Sequence, residues 1–143
     1  MRVFIDSSVI IAALLSPTGA STVILLFCEM QMITGYISQD VAREIKIVLE
    51  RKFPEKKKQF EKLLWETNLK LIHAKNKKLF FKAKKWIKDP HDVHILVAAK
   101  EAKVDYLITL DIRDFIKDTA VSEKSGLKIC TPGDFLHILR TTL

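Results

Sequence analysis

Apolar positions along the chain switch repeatedly between a run or a period of two and a helical period. Val3-Phe4-Ile5 is a short apolar run that stops at Asp6-Ser7-Ser8, the pattern of a strand ending at a polar turn. Residues 9–15 then predict a buried helix, Ser16-Pro17-Thr18-Gly19 a turn, and residues 21–30 a second helix. A strand is expected over 32–37. Ser38 reads as the N-cap of a helix over 39–52, whose Val41, Ile45, Val48 and Leu49 share one face, and Pro54 stops it. Residues 55–65 predict a basic helix with Phe60, Leu63 and Leu64 inward, 68–74 a strand, and 75–87 a Lys-rich helix. Asp89-Pro90-His91-Asp92 has the residues of a turn opening a helix that runs to about Lys103. Strands over 106–109 and 127–130 and a helix over 133–139 complete the chain. Strands alternating with helices imply a mainly parallel sheet covered on both faces.

Composition narrows the class. A chain of 143 residues, 48% of them apolar, with only 4 Gly and 4 Pro, predicts one compact domain over 1–143 without linker or repeat. Lys and Arg number 24 against 17 Asp and Glu, a net charge of +7, which suits an anionic partner such as nucleic acid. A Lys-rich solubility surface is the other reading of the same number. Cys28 and Cys130 sit among apolar neighbours and read as reduced core thiols, consistent with a cytoplasmic protein. No stretch approaches the ~20 apolar residues of a bilayer span. Asp6 interrupts what a signal peptide would keep unbroken, so neither export nor membrane insertion is expected.

Four acids stand where acids are unusual. Asp6 follows the first strand directly and Asp111 closely follows the 106–109 strand, so both belong to the carboxyl edge of the sheet, where open α/β folds bind ligands. Glu44 lies three residues after Val41 and four before Val48, on or beside the buried stripe of its helix. Asp92 precedes Ile95 and Leu96 by three and four residues and opens a strongly apolar helix from its inward side. Each acid alone has an ordinary structural role, as turn former, rim residue or cap. Together in one pocket they would repel unless protonated or neutralised, and a hard dication removes the conflict. An oxygen-only donor set favours Mg²⁺ or Mn²⁺ over zinc, and that is phosphodiester chemistry, in which the cation lowers the pKa of an attacking water.

The segments Val3-Phe4-Ile5-Asp6-Ser7-Ser8-Val9-Ile10-Ile11-Ala12, Ser38-Gln39-Asp40-Val41-Ala42-Arg43-Glu44-Ile45, Asp89-Pro90-His91-Asp92 and Leu107-Ile108-Thr109-Leu110-Asp111 together resemble the PIN-domain family, in order and interval. The similarity runs from Val3 to about Phe135 and looks closest to small prokaryotic PIN proteins, which include VapC-like toxin subunits of toxin-antitoxin pairs. It implies a three-layer α/β/α sandwich with a central mainly parallel sheet, and Asp6, Glu44, Asp92 and Asp111 as the acidic metal site. Ser8 and Thr109 match hydroxyl positions that orient acids or waters, and Asp114 matches a variable additional ligand. The resemblance further implies an RNA substrate, a homodimer and, in the toxin setting, a small antitoxin covering the pocket.

The expected function is therefore a Mg²⁺- or Mn²⁺-dependent endoribonuclease. A binding module that uses its basic surface without cutting is the alternative. His91 and His94 flank Asp92, and with no second His-rich segment they read as ordinary histidines at a helix start. Basic residues cluster at Arg51, Lys52, Lys56, Lys57, Lys58 and Lys62, and again from Lys75 to Lys88, as an RNA-tracking surface or as solvated helix faces. Trp65, Phe80 and Trp86 lie beside these lysines, at the spacing of core residues that could also stack on bases.

Overall fold

The apolar run at the N-terminus becomes the centre of the sheet. In the computed structural model, which describes residues 1–142, β1 (Arg2–Ile5) pairs with β2 (Thr34–Ser38) on one side and β4 (Tyr106–Ile108) on the other. The order is β3-β2-β1-β4-β5, with β3 (Lys70–Ile72) and β5 (Ile129–Cys130) at the edges and every pairing parallel. Val3, Phe4 and Ile5 are 0% exposed, which is why this strand shows no alternation: both of its faces are covered. Helices α1 (Ser7–Leu15), α2 (Ala20–Glu29), α3 (Gln39–Lys52), α4 (Lys57–Glu66), α5 (Lys77–Ala83), α6 (Val93–Glu101), α7 (Thr119–Ser125) and α8 (Pro132–Thr142) complete the three-layer α/β/α arrangement. Within it α2 packs on α1 and α8, α1 on α3, and α5 on α6.

The chain leaves β1 towards β2 and β3, then crosses back to β4 and β5, so the direction of winding reverses between β1 and β4. At such a switch point the two following loops diverge and leave a crevice at the carboxyl edge. Asp6 ends β1 and donates its backbone N–H to the carbonyl of Ile108 at 3.0 Å, so the loops after β1 and β4 start side by side.

Several element bounds differ from the sequence pattern for local reasons. The 32–37 strand begins two residues later, because the N–H of Met32 bonds back to the carbonyl of Phe27 and Gln31 takes the left-handed φ of 59° that ends α2. The 68–74 strand shrinks to Lys70–Ile72, the part that registers against β2. The 75–87 helix is confined to Lys77–Ala83, capped by the Asn76 side chain on Leu79 N–H. Lys103, with φ of 53°, stops the helix near Glu101. A π-helical turn over Ile112–Ile116 and the helix α7 carry no periodic apolar signal and were not anticipated. Among the described residues no single helix is long and apolar enough to cross a membrane; α1 and α2, bent by 102°, pass by composition only as a pair.

Candidate metal centre

Asp6 is the best-held acid of the crevice. It is 4% exposed, and its side chain accepts from the backbone N–H of Ser7 at 2.8 Å, capping α1. Its Oδ2 accepts from the hydroxyls of Ser8 at 2.9 Å and Thr109 at 2.7 Å. Each of those hydroxyls in turn accepts a backbone N–H of the β4 loop, Ser8 Oγ from Leu110 at 3.1 Å and Thr109 Oγ1 from Asp111 at 3.0 Å. With its acceptor side used, each hydroxyl directs its proton to the carboxylate, and the two N–H···O–H···O⁻ chains reinforce each other. Ser8 and Thr109 thus hold Asp6 in one orientation and tie the β1 and β4 loops together.

Asp111 caps the π-turn, its Oδ1 accepting Asp114 N–H at 3.1 Å, and so its other oxygen stays available to a ligand. Wide turns of this kind recur at functional sites, and here the turn sets Asp114 beside the crevice. Glu44 lies beside the buried stripe of its helix and not on it. Val41, Ile45 and Leu49 form the buried stripe of α3, whereas Glu44 is exposed at its border. Partial burial raises its carboxyl pKa, the nearby Asp6 charge raises it further, and the Ser7 hydroxyl pulls the other way.

Asp92 occupies the short 3₁₀ turn Pro90–Asp92 that leads into α6. Its carboxyl is pushed from 3.8 up to about 7, first by burial, then by the charges of Asp89, Asp111, Asp6 and Asp114. Carboxylates from three segments, after β1, before α6 and after β4, are thus close enough to feel one another. Among the described residues, one oxygen each of Asp89, Asp92 and Asp114 fall within 4.8 Å of one another. Asp89 was not expected as a ligand. Its turn-forming pattern, with Oδ1 accepting His91 N–H at 2.9 Å, masked it as an ordinary loop residue. An all-oxygen donor set in which burial and neighbouring charges together suppress ionisation of one member fits a hard dication, and Asp6, Glu44, Asp89, Asp92, Asp111 and Asp114 are the groups that could hold one.

His91 is exposed as expected, but His94 is not an ordinary surface histidine. Burial holds its imidazole below the usual range against the opposing pull of Asp40 and Asp6, and its Nδ1 has no hydrogen-bond partner. Trp65, 86% exposed, departs from the core expectation, whereas Trp86 is half-buried and packs against the core. Of the basic residues, Lys84 and Lys88 border cavities at the crevice. Arg51 and Lys52 end a helix of 14 residues, about 20 Å long, that starts at the carboxyl edge and carries them away from it. Lys57 pairs with Glu50 at that far end.

Comparison with known proteins agrees with this architecture. A chain in the crystal structure of VapBC2 from Rickettsia felis, bound to a DNA fragment from their promoter, superposes with a TM-score of 0.64 at 18% identity, covering 92% of this chain and 98% of that one. PAE2754 from Pyrobaculum aerophilum gives 0.66 at 13% identity, covering 99% and 90%. A chain of FitAB bound to the IR36 DNA fragment gives 0.62 at 12% identity, covering 91% and 94%. At these identities the likeness is one of fold. No curated protein matches the sequence. The sequence profile of the PIN domain matches residues 2–113, most of the chain. The chain belongs to the PIN-domain family.

Proposed function

We propose that this PIN domain is a divalent-cation-dependent endoribonuclease in which Asp6, Glu44, Asp92 and Asp111 hold the cation, with Asp89 and Asp114 completing its surroundings. One observation carries the reading: acids from separate segments converge around Asp92, whose carboxyl is pushed to about 7 first by burial and then by the charges of Asp89, Asp111, Asp6 and Asp114. Bound Mg²⁺ or Mn²⁺ would supply Lewis-acid activation of a water and neutralise charge at the scissile phosphate. The chain's own residues do the positioning. Ser8 and Thr109 fix the Asp6 oxygens, and Asp111 offers one oxygen while the other anchors its loop. Glu44, at the border of α3, lines the same cavity as Asp92. The net charge of +7 favours a polyanionic substrate although the centre itself is acidic.

The biological setting we propose is that of a cytoplasmic, homodimeric toxin held by a small antitoxin, a reading supported by the likeness to chains of the VapBC2 and FitAB structures. The test is cleavage of labelled RNA by purified protein, with a DNA strand of the same sequence alongside. Cleavage that needs Mg²⁺ or Mn²⁺, stops with chelator, spares DNA and is lost in Asp6→Asn supports the proposal. An inert protein that binds the RNA would instead mark a non-cutting module and overturn it.

A further inference from the structure

The positive net charge has a single source. Between Thr67 and Lys88 the chain carries eight lysines and no acid, which leaves 16 of the 24 Lys and Arg to face all 17 Asp and Glu in the rest of the chain. All eight are exposed. Among the described residues none of them is in an ion pair; the pairs present are Arg43 with Asp40, Lys57 with Glu50 and Lys62 with Glu66. A solvated helix face ordinarily mixes both signs, as α3 and α4 do, so an acid-free block of this length points to a polyanionic partner.

The fold turns this block into an ordered face. Glu101 of α6 accepts the backbone N–H of Lys75 at 3.1 Å and of Asn76 at 2.9 Å, and the Asn76 side chain caps Leu79 N–H, so α5 is pinned at its start. Leu79, Phe80 and Ala83 take its inward side. Lys78, Phe81, Lys82 and Lys85 follow the i, i+3, i+4, i+7 spacing of one stripe, which on a surface helix is usually the apolar, buried one. Here the stripe faces out: Phe81 is 68% exposed, with Lys85 Nζ 5.8 Å from its ring centre. Phe80 and Lys84, one turn apart, line the cavity that also holds Glu44 and Asp92, and the stripe begins about 100° further round the helix, so it leads outward from the acidic centre.

An aromatic ring among unpaired ammonium groups suits single-stranded nucleic acid, whose phosphates meet the lysines while an unstacked base lies on the ring. A second copy of the chain would set the same lysines against each other across a two-fold axis. A bilayer would find one aromatic side chain and no apolar face to bury. Deepening the nuclease reading above, on which it rests, we propose that the stripe Lys78, Phe81, Lys82 and Lys85 is a second RNA site, outside the acidic centre, that holds a single-stranded flank of the substrate with one base stacked on Phe81.

The test is fluorescence anisotropy of a labelled single-stranded RNA in chelator, between about 50 and 200 mM salt, the range over which phosphate contacts register. In Lys78→Gln/Lys82→Gln/Lys85→Gln the slope of log K against log salt flattens by about 2, the loss of three phosphate contacts on a single strand. All three side chains are exposed, so folding is not at stake. Arg51→Gln/Lys52→Gln/Lys58→Gln removes the same charge elsewhere and keeps the wild-type slope. Phe81→Leu weakens binding on the order of tenfold and Phe81→Trp restores it, as expected of base stacking. An unchanged slope in the stripe variant, an equal loss in the control, or stripe-dependent capture on phosphatidylserine vesicles by a protein whose RNA binding ignores the stripe overturns the proposal. A protein that binds with these signatures and never cuts would sink the nuclease reading and leave the RNA site standing; cation-dependent cleavage with an unaltered slope would do the reverse.

Discussion

Replacing Asp92 by Asn should stabilise the cation-free protein, a result opposite to the usual effect of removing a half-buried polar group. The carboxyl of Asp92 moves from 3.8 in the unfolded chain to about 7 in the fold. Each unit is worth about 1.4 kcal/mol, so ionised Asp92 would cost about 4 kcal/mol unscreened. Because the group keeps contact with water, roughly half of that survives, about 2 kcal/mol. The sign follows from proton binding: between the two pKa values the native state holds a proton that the unfolded state has lost. Stability is therefore highest below about pH 4, falls as pH rises towards about 7, and levels off above it. Asp92→Asn removes the charge and with it this slope. Thermal melts in chelator should place the variant about 6 °C above wild type near pH 8, with the gap closing towards pH 4. Saturating Mg²⁺ should raise the wild-type midpoint and leave the variant unmoved. A variant less stable than wild type near pH 8, or a gap independent of pH, would refute the crowding argument.

Other outcomes follow from the same geometry. Thr109→Val removes a donor from Asp6 and leaves Asp111 N–H unpaired, so urea unfolding should show a loss of about 2 kcal/mol together with impaired cation binding. Gly35→Ala would bring a Cβ to 2.6 Å from Leu69 Cδ2 and 2.8 Å from Cys28 Sγ, and the midpoint should fall by about 1 kcal/mol or more without change at the acidic centre. Burial pushes the thiols of Cys28 and Cys130 up to about 12, so a thiol-reactive dye should label neither in the native protein and both on unfolding.

Most of this architecture is legible in particular residues. The unbroken apolar run before Asp6 marks a strand covered on both faces, and Ser38 with Val41, Ile45 and Leu49 fixes α3 to its observed ends, Gln39–Lys52. Asp6, Asp92 and Asp111 stand out because strand ends and helix starts are readable one element at a time. What stays hidden is what depends on pairing across the chain. The edge strands β3 and β5 are cut to three and two residues by the neighbours they register against, which no local pattern records. Asp89 looks like any turn aspartate until the π-turn brings Asp114 near it. Helical spacing put Glu44 near the buried stripe of α3, but only the fold leaves it exposed at the crevice. His94 stands out in the sequence only as a neighbour of Asp92, since its unpartnered nitrogen arises from burial against other segments.

The central claim is that the acids form one centre which a dication completes. Calorimetric titration with Mn²⁺, repeated in buffers of different ionisation enthalpy, tests it directly. A group titrating near 7 must surrender its proton when the cation arrives, so binding near pH 6.5 should release roughly 0.8 proton per cation, falling close to zero near pH 8.5. Asp6→Asn should abolish the signal. Absence of binding, binding that releases no proton near pH 6.5, or equal binding by Asp6→Asn would contradict the account.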